Sequence, residues 1–150
     1  MKKRGSKKGA LEISFGMIFS IFLIIIFIAA AFYAIRMFLS TQDDIKIGIF
    51  VNDLKKDVDA MWKGSSESQK VEYSLPSKVQ EVCFVNNPEN SPNQNLIFTS
   101  SQIIPGKKID NLDIAKITES ENPYCIANIN GKVKMTIVKD YGEILVRIER

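Results

Sequence analysis

The residues best able to do chemistry in this 150-residue chain are few. There is no histidine, which removes the usual general base, the usual zinc ligand and any Ser-His-Asp arrangement. The glycines form neither a GxGxxG nor a Walker A pattern, so no phosphate-cradling loop is expected. Two cysteines, Cys83 and Cys125, lie too far apart in the chain for a metal motif. Outside the cell such a pair reads as a disulfide, and closing a loop of about 43 residues would stabilise the fold by roughly 4 kcal/mol. Two buried thiols are the alternative. The acid pair Asp43-Asp44 falls on an expected solvated helix face. No catalytic residue, metal ligand or cofactor is expected, and the chain does not read as an enzyme. No Asn-X-Ser/Thr sequon occurs either, since Asn90-Ser91-Pro92 does not fit the spacing, so standard N-glycosylation is not expected.

The elements that would hold these residues begin with an apolar run. Residues 13–35 carry no charge and are mostly Ile, Phe, Leu and Ala. As a helix they would be roughly 35 Å long, enough to cross a hydrocarbon core of about 30 Å. Tyr33 and Arg36 suit its outer interface. Of the 20 basic residues, five (Lys2, Lys3, Arg4, Lys7 and Lys8) fall in residues 1–9. This places residues 1–9 in the cytoplasm and the C-terminal part outside, by the positive-inside rule. Beyond residue 39 the charges nearly cancel, with a small acidic excess, so the net charge gives no sign of a nucleic-acid partner.

Past the run, Ile47, Phe50, Leu54, Val58 and Met61 recur at helical spacing, opposite Asp53, Lys56, Asp57 and Lys63. This predicts an amphipathic extension of the same helix, ended by Gly64. A break near residues 40–44 is the alternative, because Ser, Thr and Asp favour caps. Strands are predicted over 71–75, 79–85 and 96–99, while 105–121 is ambiguous. The chain from Tyr124 onward predicts a three-stranded antiparallel meander: 124–129, a turn at Asn130-Gly131, then 132–137, a turn at Asp140-Tyr141-Gly142, and 143–149. In it Val133, Met135 and Ile137, then Ile144, Val146 and Ile148, would line one apolar face. The amphipathic helix is the expected cover for that face, with Trp62 over the sheet. The fold class is therefore α+β: a long N-terminal transmembrane-plus-amphipathic helix packed on a small antiparallel β-sheet head. The expected segments are a basic leader (1–9), a transmembrane helix (10–39), its extension (40–64) and a β-rich head (65–150).

One further stretch has chemical meaning, Lys7-Lys8-Gly9-Ala10-Leu11-Glu12-Ile13-Ser14-Phe15. An ordinary secretory signal is cleaved after a hydrophobic run of about 7–15 residues, whereas this run is longer and no A-x-A follows it. Here the basic residues, a glycine and a small residue come before the run. That order resembles the type III signal of type IV pilins and related archaeal filament proteins. The sequence-level resemblance covers about residues 7–40, and the architectural one covers the whole chain.

The resemblance implies that a prepilin peptidase cuts on the cytoplasmic side, between Gly9 and Ala10, with Lys7 and Lys8 before the cut. It also implies a pilin-like fold whose helix lies first in the membrane and then in a filament core, assembling with other copies or related subunits. Many type IV pilins carry glutamate at the fifth mature position. This chain has Ser14 there, and its acid, Glu12, would be third. A carboxylate at a helix start is favoured by the helix dipole. It could pair with a new ammonium at Ala10 or simply sit at the interface. Gly16 and Ser20, like Ala30 and Ala34, are four apart, a spacing that lets membrane helices approach closely.

The function expected is that of a structural subunit of a type IV pilus-like surface filament or a pseudopilus-like envelope complex. The rival expectation is an uncleaved, single-pass membrane-anchored module whose extracellular β-domain binds a partner.

Overall fold

The computed structural model describes residues 15–86 and 93–150. The chain divides into two compact units, Met1–Ser40 and Thr41–Arg150. Helix α1 (Phe15–Lys63) runs through the division without a break. It holds no proline, and nothing lies within 4 Å of where a Cβ on Gly48 would sit. The alternative of a break near residues 40–44 is therefore not taken. The helix stops at Gly64, whose N–H donates to the Met61 carbonyl at 3.0 Å.

In the first unit, every described residue of α1 is exposed. The second unit is different. There α1 buries Ile47, Phe50, Val51, Leu54, Val58 and Met61 along one face, the stripe its spacing predicts plus Val51. This face lies on two three-stranded antiparallel sheets. The first has the order β1 (Glu67–Ser74), β5 (Lys132–Lys139), β6 (Arg147–Glu149). The second has the order β3 (Leu96–Ser100), β2 (Val79–Phe84), β4 (Tyr124–Ala127). Phe50 touches both sheets edge-on, meeting the Tyr73 ring of β1 at 5.3 Å and the Phe98 ring of β3 at 6.0 Å. One continuous core results, in which Leu54, Val58, Val82, Phe84, Val133 and Ile137 are fully buried.

The expected C-terminal meander does not form. The Asn130-Gly131 turn is present, with φ of 54° and 78° and reciprocal backbone bonds between Ile129 and Lys132. Beyond that bridge the two strands part. β4 pairs with β2, and both edges of β5 are occupied, by β1 and β6. Alternation marks the face a strand buries but not its neighbour, and β1, far away in sequence, supplies the partner along all of β5. The third strand is also shorter than expected. Val146 bonds with Asn111 and Asp113 instead of β5, and Ile144 is 81% exposed. Trp62 stays outside the buried core and is 40% exposed.

The ambiguous stretch 105–121 becomes a loop with one short helix, α2 (Ile114–Ile117), capped by Asp113. Ile109 is buried within it. Its backbone N–H and carbonyl are both satisfied by the Asn95 side-chain amide, at 2.8 and 2.7 Å. At the far end of α1, Lys139 is nearly buried. Its ammonium donates to the carbonyls of Trp62 and Gly64, groups that a helix end leaves without partners. The lysine thereby pins α1 to β5.

Two substitutions test this packing in the full chain in detergent, read by urea unfolding. Leu54→Ala should cost about 2–5 kcal/mol, the range for a fully buried leucine. Lys139→Ala should cost about 1–3 kcal/mol by stranding those carbonyls. Losses near zero would contradict the placement of α1.

Candidate functional site

Two features of the structure invite a functional reading: the apolar segment of α1 and the disulfide-bearing surface of the head. From Phe15 to Leu39 the helix displays apolar side chains on all sides, among them Phe15 (84% exposed), Phe27 (70%) and Phe38 (62%). An amphipathic helix would hide one face, and this segment hides none. The helix is long and apolar enough to cross a membrane. Within it the Ser20 hydroxyl donates to the Gly16 carbonyl at 2.8 Å. That bond satisfies the hydroxyl inside its own helix, so the Gly16/Ser20 notch can face lipid or another helix without stranding a polar group. Lys7, Lys8, Gly9, Ala10 and Glu12 lie outside the described residues, and the structure places none of them.

In the head, Cys83 and Cys125 form a disulfide across paired positions of β2 and β4, with Cα atoms 4.0 Å apart. Glu81 is two positions along the same strand and so shares a face with Cys83. The ligand atoms of Glu81, Cys83 and Cys125 fall within 4.8 Å of one another. The two sulfurs are bonded together, however, and a metal would need them as thiolates. The bridge therefore serves as a cross-strand staple. Beside it opens a cleft of about 520 Å³, lined by Glu81, Cys125, Ile129, Lys132, Lys134 and Arg150 among others. Its cations are already engaged. Lys132 and Lys134 flank Glu72, whose carboxyl they hold below the usual value, Lys132 foremost. Arg150 pairs with Glu121 and stacks over the Tyr124 ring.

The acid pair Asp43-Asp44 is not simply solvated. Both carboxylates meet Lys78, at 3.5 and 3.4 Å, and Lys78 also donates to Gln102. The pair thus ties α1 to two loops of the head. A second helix–sheet tie is the Tyr73 hydroxyl, which donates to Asp57 at 2.7 Å. Burial first, and then the Asp57 carboxylate, push the Tyr73 hydroxyl well above its ordinary value of 10.0. Spacing had put Asp57 on the solvated face of α1, and a sequence holds no sign of which tyrosine reaches it.

The chain matches no family model, no curated protein and no solved structure. Its own chemistry is thus the guide to its role: an uncovered apolar helix on a stapled β-head.

Reducing the bridge with a dithiol, or replacing both cysteines by serine, should lower the unfolding free energy by roughly 4 kcal/mol. An unchanged melting temperature would show that the bridge is dispensable. The Tyr73 shift has a definite sign in pH. Because folding favours the protonated phenol, its contribution is fully present below about pH 10 and is lost as pH rises through the higher folded value. In an alkaline titration of ultraviolet absorbance, one tyrosine should ionise only as the fold is lost, and Tyr73→Phe should remove that step. Full tyrosine ionisation before unfolding would contradict the buried bond.

Proposed function

We propose that this chain is a type IV pilin-like or pseudopilin-like structural subunit, of archaeal type. On this reading it assembles with other copies or related subunits through the apolar segment of α1 and carries its β-head on the outer side of the membrane. The observation that carries the proposal is the division of labour along α1. Before Ser40 its described residues expose apolar side chains on every side. After Thr41 the same helix buries a single face in the head.

A helix that only anchors needs lipid around it, whereas a helix that assembles must also suit close contact with its own kind. Gly16 and Ser20 supply a small-residue notch with its polar group internally satisfied, which supports the second use. The order Lys7-Lys8-Gly9-Ala10 ahead of the run supports removal of residues 1–9 by a prepilin peptidase. Cleavage there would free an ammonium at Ala10, close in sequence to Glu12. The role is one of assembly, with no catalytic step assigned to the chain.

Mass spectrometry of the protein from native membranes tests this directly. The mature chain should begin at Ala10. A chain still beginning at Met1 or Lys2, in cells with an active prepilin peptidase, would overturn the processed-pilin reading and favour an anchored binding module.

A further inference from the structure

We infer that the cleft beside the staple makes Cys125 a covalent site for small amine-bearing thiols, which open the Cys83–Cys125 bond by attack on the Cys125 sulfur while the head stays folded. The inference concerns the head alone. It is independent of the membrane span and of filament assembly.

Strand order decides which sulfur an incoming thiol reaches. In the second sheet β2 is the middle strand and β4 an outer one. Exchange proceeds by attack of a thiolate on one sulfur of the bridge, and the attacker arrives along the line of the bond it breaks. The line to Cys83 comes from the β3 side. There Ile97 is the paired residue and the Thr99 hydroxyl stands 3.7 Å from the Cys83 sulfur. Cys83 is only 2% exposed. The line to Cys125 comes from beyond the outer edge of β4. Past the Ile129–Lys132 bridge β4 and β5 part, and the cleft of about 520 Å³ opens. Cys125 lines this cleft and Cys83 does not. Its volume is that of a small-molecule site.

The step needs no reactant besides the thiol. The incoming thiol gives its proton to water and its sulfur bonds to the Cys125 sulfur. The bridge breaks, and its electron pair leaves on the Cys83 sulfur, which takes a proton back from water. The incoming sulfur is oxidised and the Cys83 sulfur reduced. The Thr99 hydroxyl, the donor in its contact with Cys83, stabilises the departing thiolate, and a stabilised thiolate leaves faster. The product is a mixed disulfide on Cys125, one of the reversible caps of cysteine. Charge sets the preferred thiol. Lys132 and Lys134 are held by Glu72, and Arg150 by Glu121. Glu81 has no ion-pair partner among the described residues, and its carboxylate lies within 4.8 Å of both sulfurs. An ammonium on the incoming thiol pairs with Glu81, whereas a carboxylate is repelled.

The test uses the full chain in detergent near pH 8, with cysteamine or 3-mercaptopropionate at equal thiolate concentration. Acid removes thiolate and so stops exchange, and peptic mapping by mass spectrometry then locates the adduct. It should sit on Cys125, in about ten-fold excess or more over Cys83. Cysteamine should react about five-fold faster than 3-mercaptopropionate, the ratio one charge contact supplies in water, and Glu81→Gln should abolish that difference. Ala127 is exposed and lies two positions from Cys125, on the same face of β4. Ala127→Phe should therefore obstruct the cleft and slow both thiols about ten-fold. An adduct on Cys83, or one shared equally, would overturn the inference. So would a bridge that opens only in urea, equal rates for the two thiols, or an unchanged rate in an Ala127→Phe chain with native circular dichroism.

Discussion

The structure depends on one buried seam, the face of α1 from Ile47 to Met61. Each sheet has three strands, and the apolar face of each must be buried against another layer. The seam meets that need for both sheets at once. Phe50 stands between Tyr73 and Phe98, one from each sheet, and Leu54 and Val58 have no exposed surface. The polar ties follow the same logic. Asp57 holds Tyr73, Lys139 holds the carbonyls at the helix end, and Lys78 holds Asp43 and Asp44. All of them fasten the head to the helix, so the head and the second half of α1 form one cooperative object.

The first half of α1 obeys the opposite constraint. Fully burying a large aliphatic or aromatic side chain is worth roughly 1.5–3 kcal/mol. Phe15, Ile18, Phe19, Phe22, Ile25, Phe27, Phe32 and Phe38, with their neighbours, are all exposed. Moving them together from water into an apolar surrounding is favourable by tens of kcal/mol in sum. The segment therefore favours a cover other than water. Lipid is one cover and the same segment of other subunits is another. Because the residues go round the whole helix, exchanging one for the other requires no change in the helix itself. That property suits a subunit stored in a membrane and then packed into a filament.

The helix was the most legible part of the chain. An uncharged run and a 3.6-residue stripe are local signals, and no residue between Phe15 and Lys63 contradicts them. The inward parity of Val133, Met135 and Ile137 was equally readable and is correct. Strand partnership was not readable. β1 finds β5 from more than half a domain away, so the Asn130-Gly131 turn joins strands of two different sheets and not the first two strands of a meander. Lys139 shares the parity of Val133, Met135 and Ile137, and could have been flagged as core-facing, but its helix-end partners depend on tertiary placement. Asn95 gave no warning of its paired bonds to Ile109. The proposed processing site, Lys7-Lys8-Gly9-Ala10, rests on residue order alone and lies outside the described residues.

The proposed function requires the apolar segment of α1 to exchange lipid for other subunits, and a photoreactive residue in place of Phe27 tests it most directly. Phe27 lies in the middle of the apolar run and is 70% exposed. Irradiation of cells carrying that variant should give a ladder of crosslinked subunits, and the ladder should disappear when cleavage is blocked by replacing Gly9. Monomer carrying only lipid adducts, under conditions where the chain is abundant and processed, would contradict assembly through the helix.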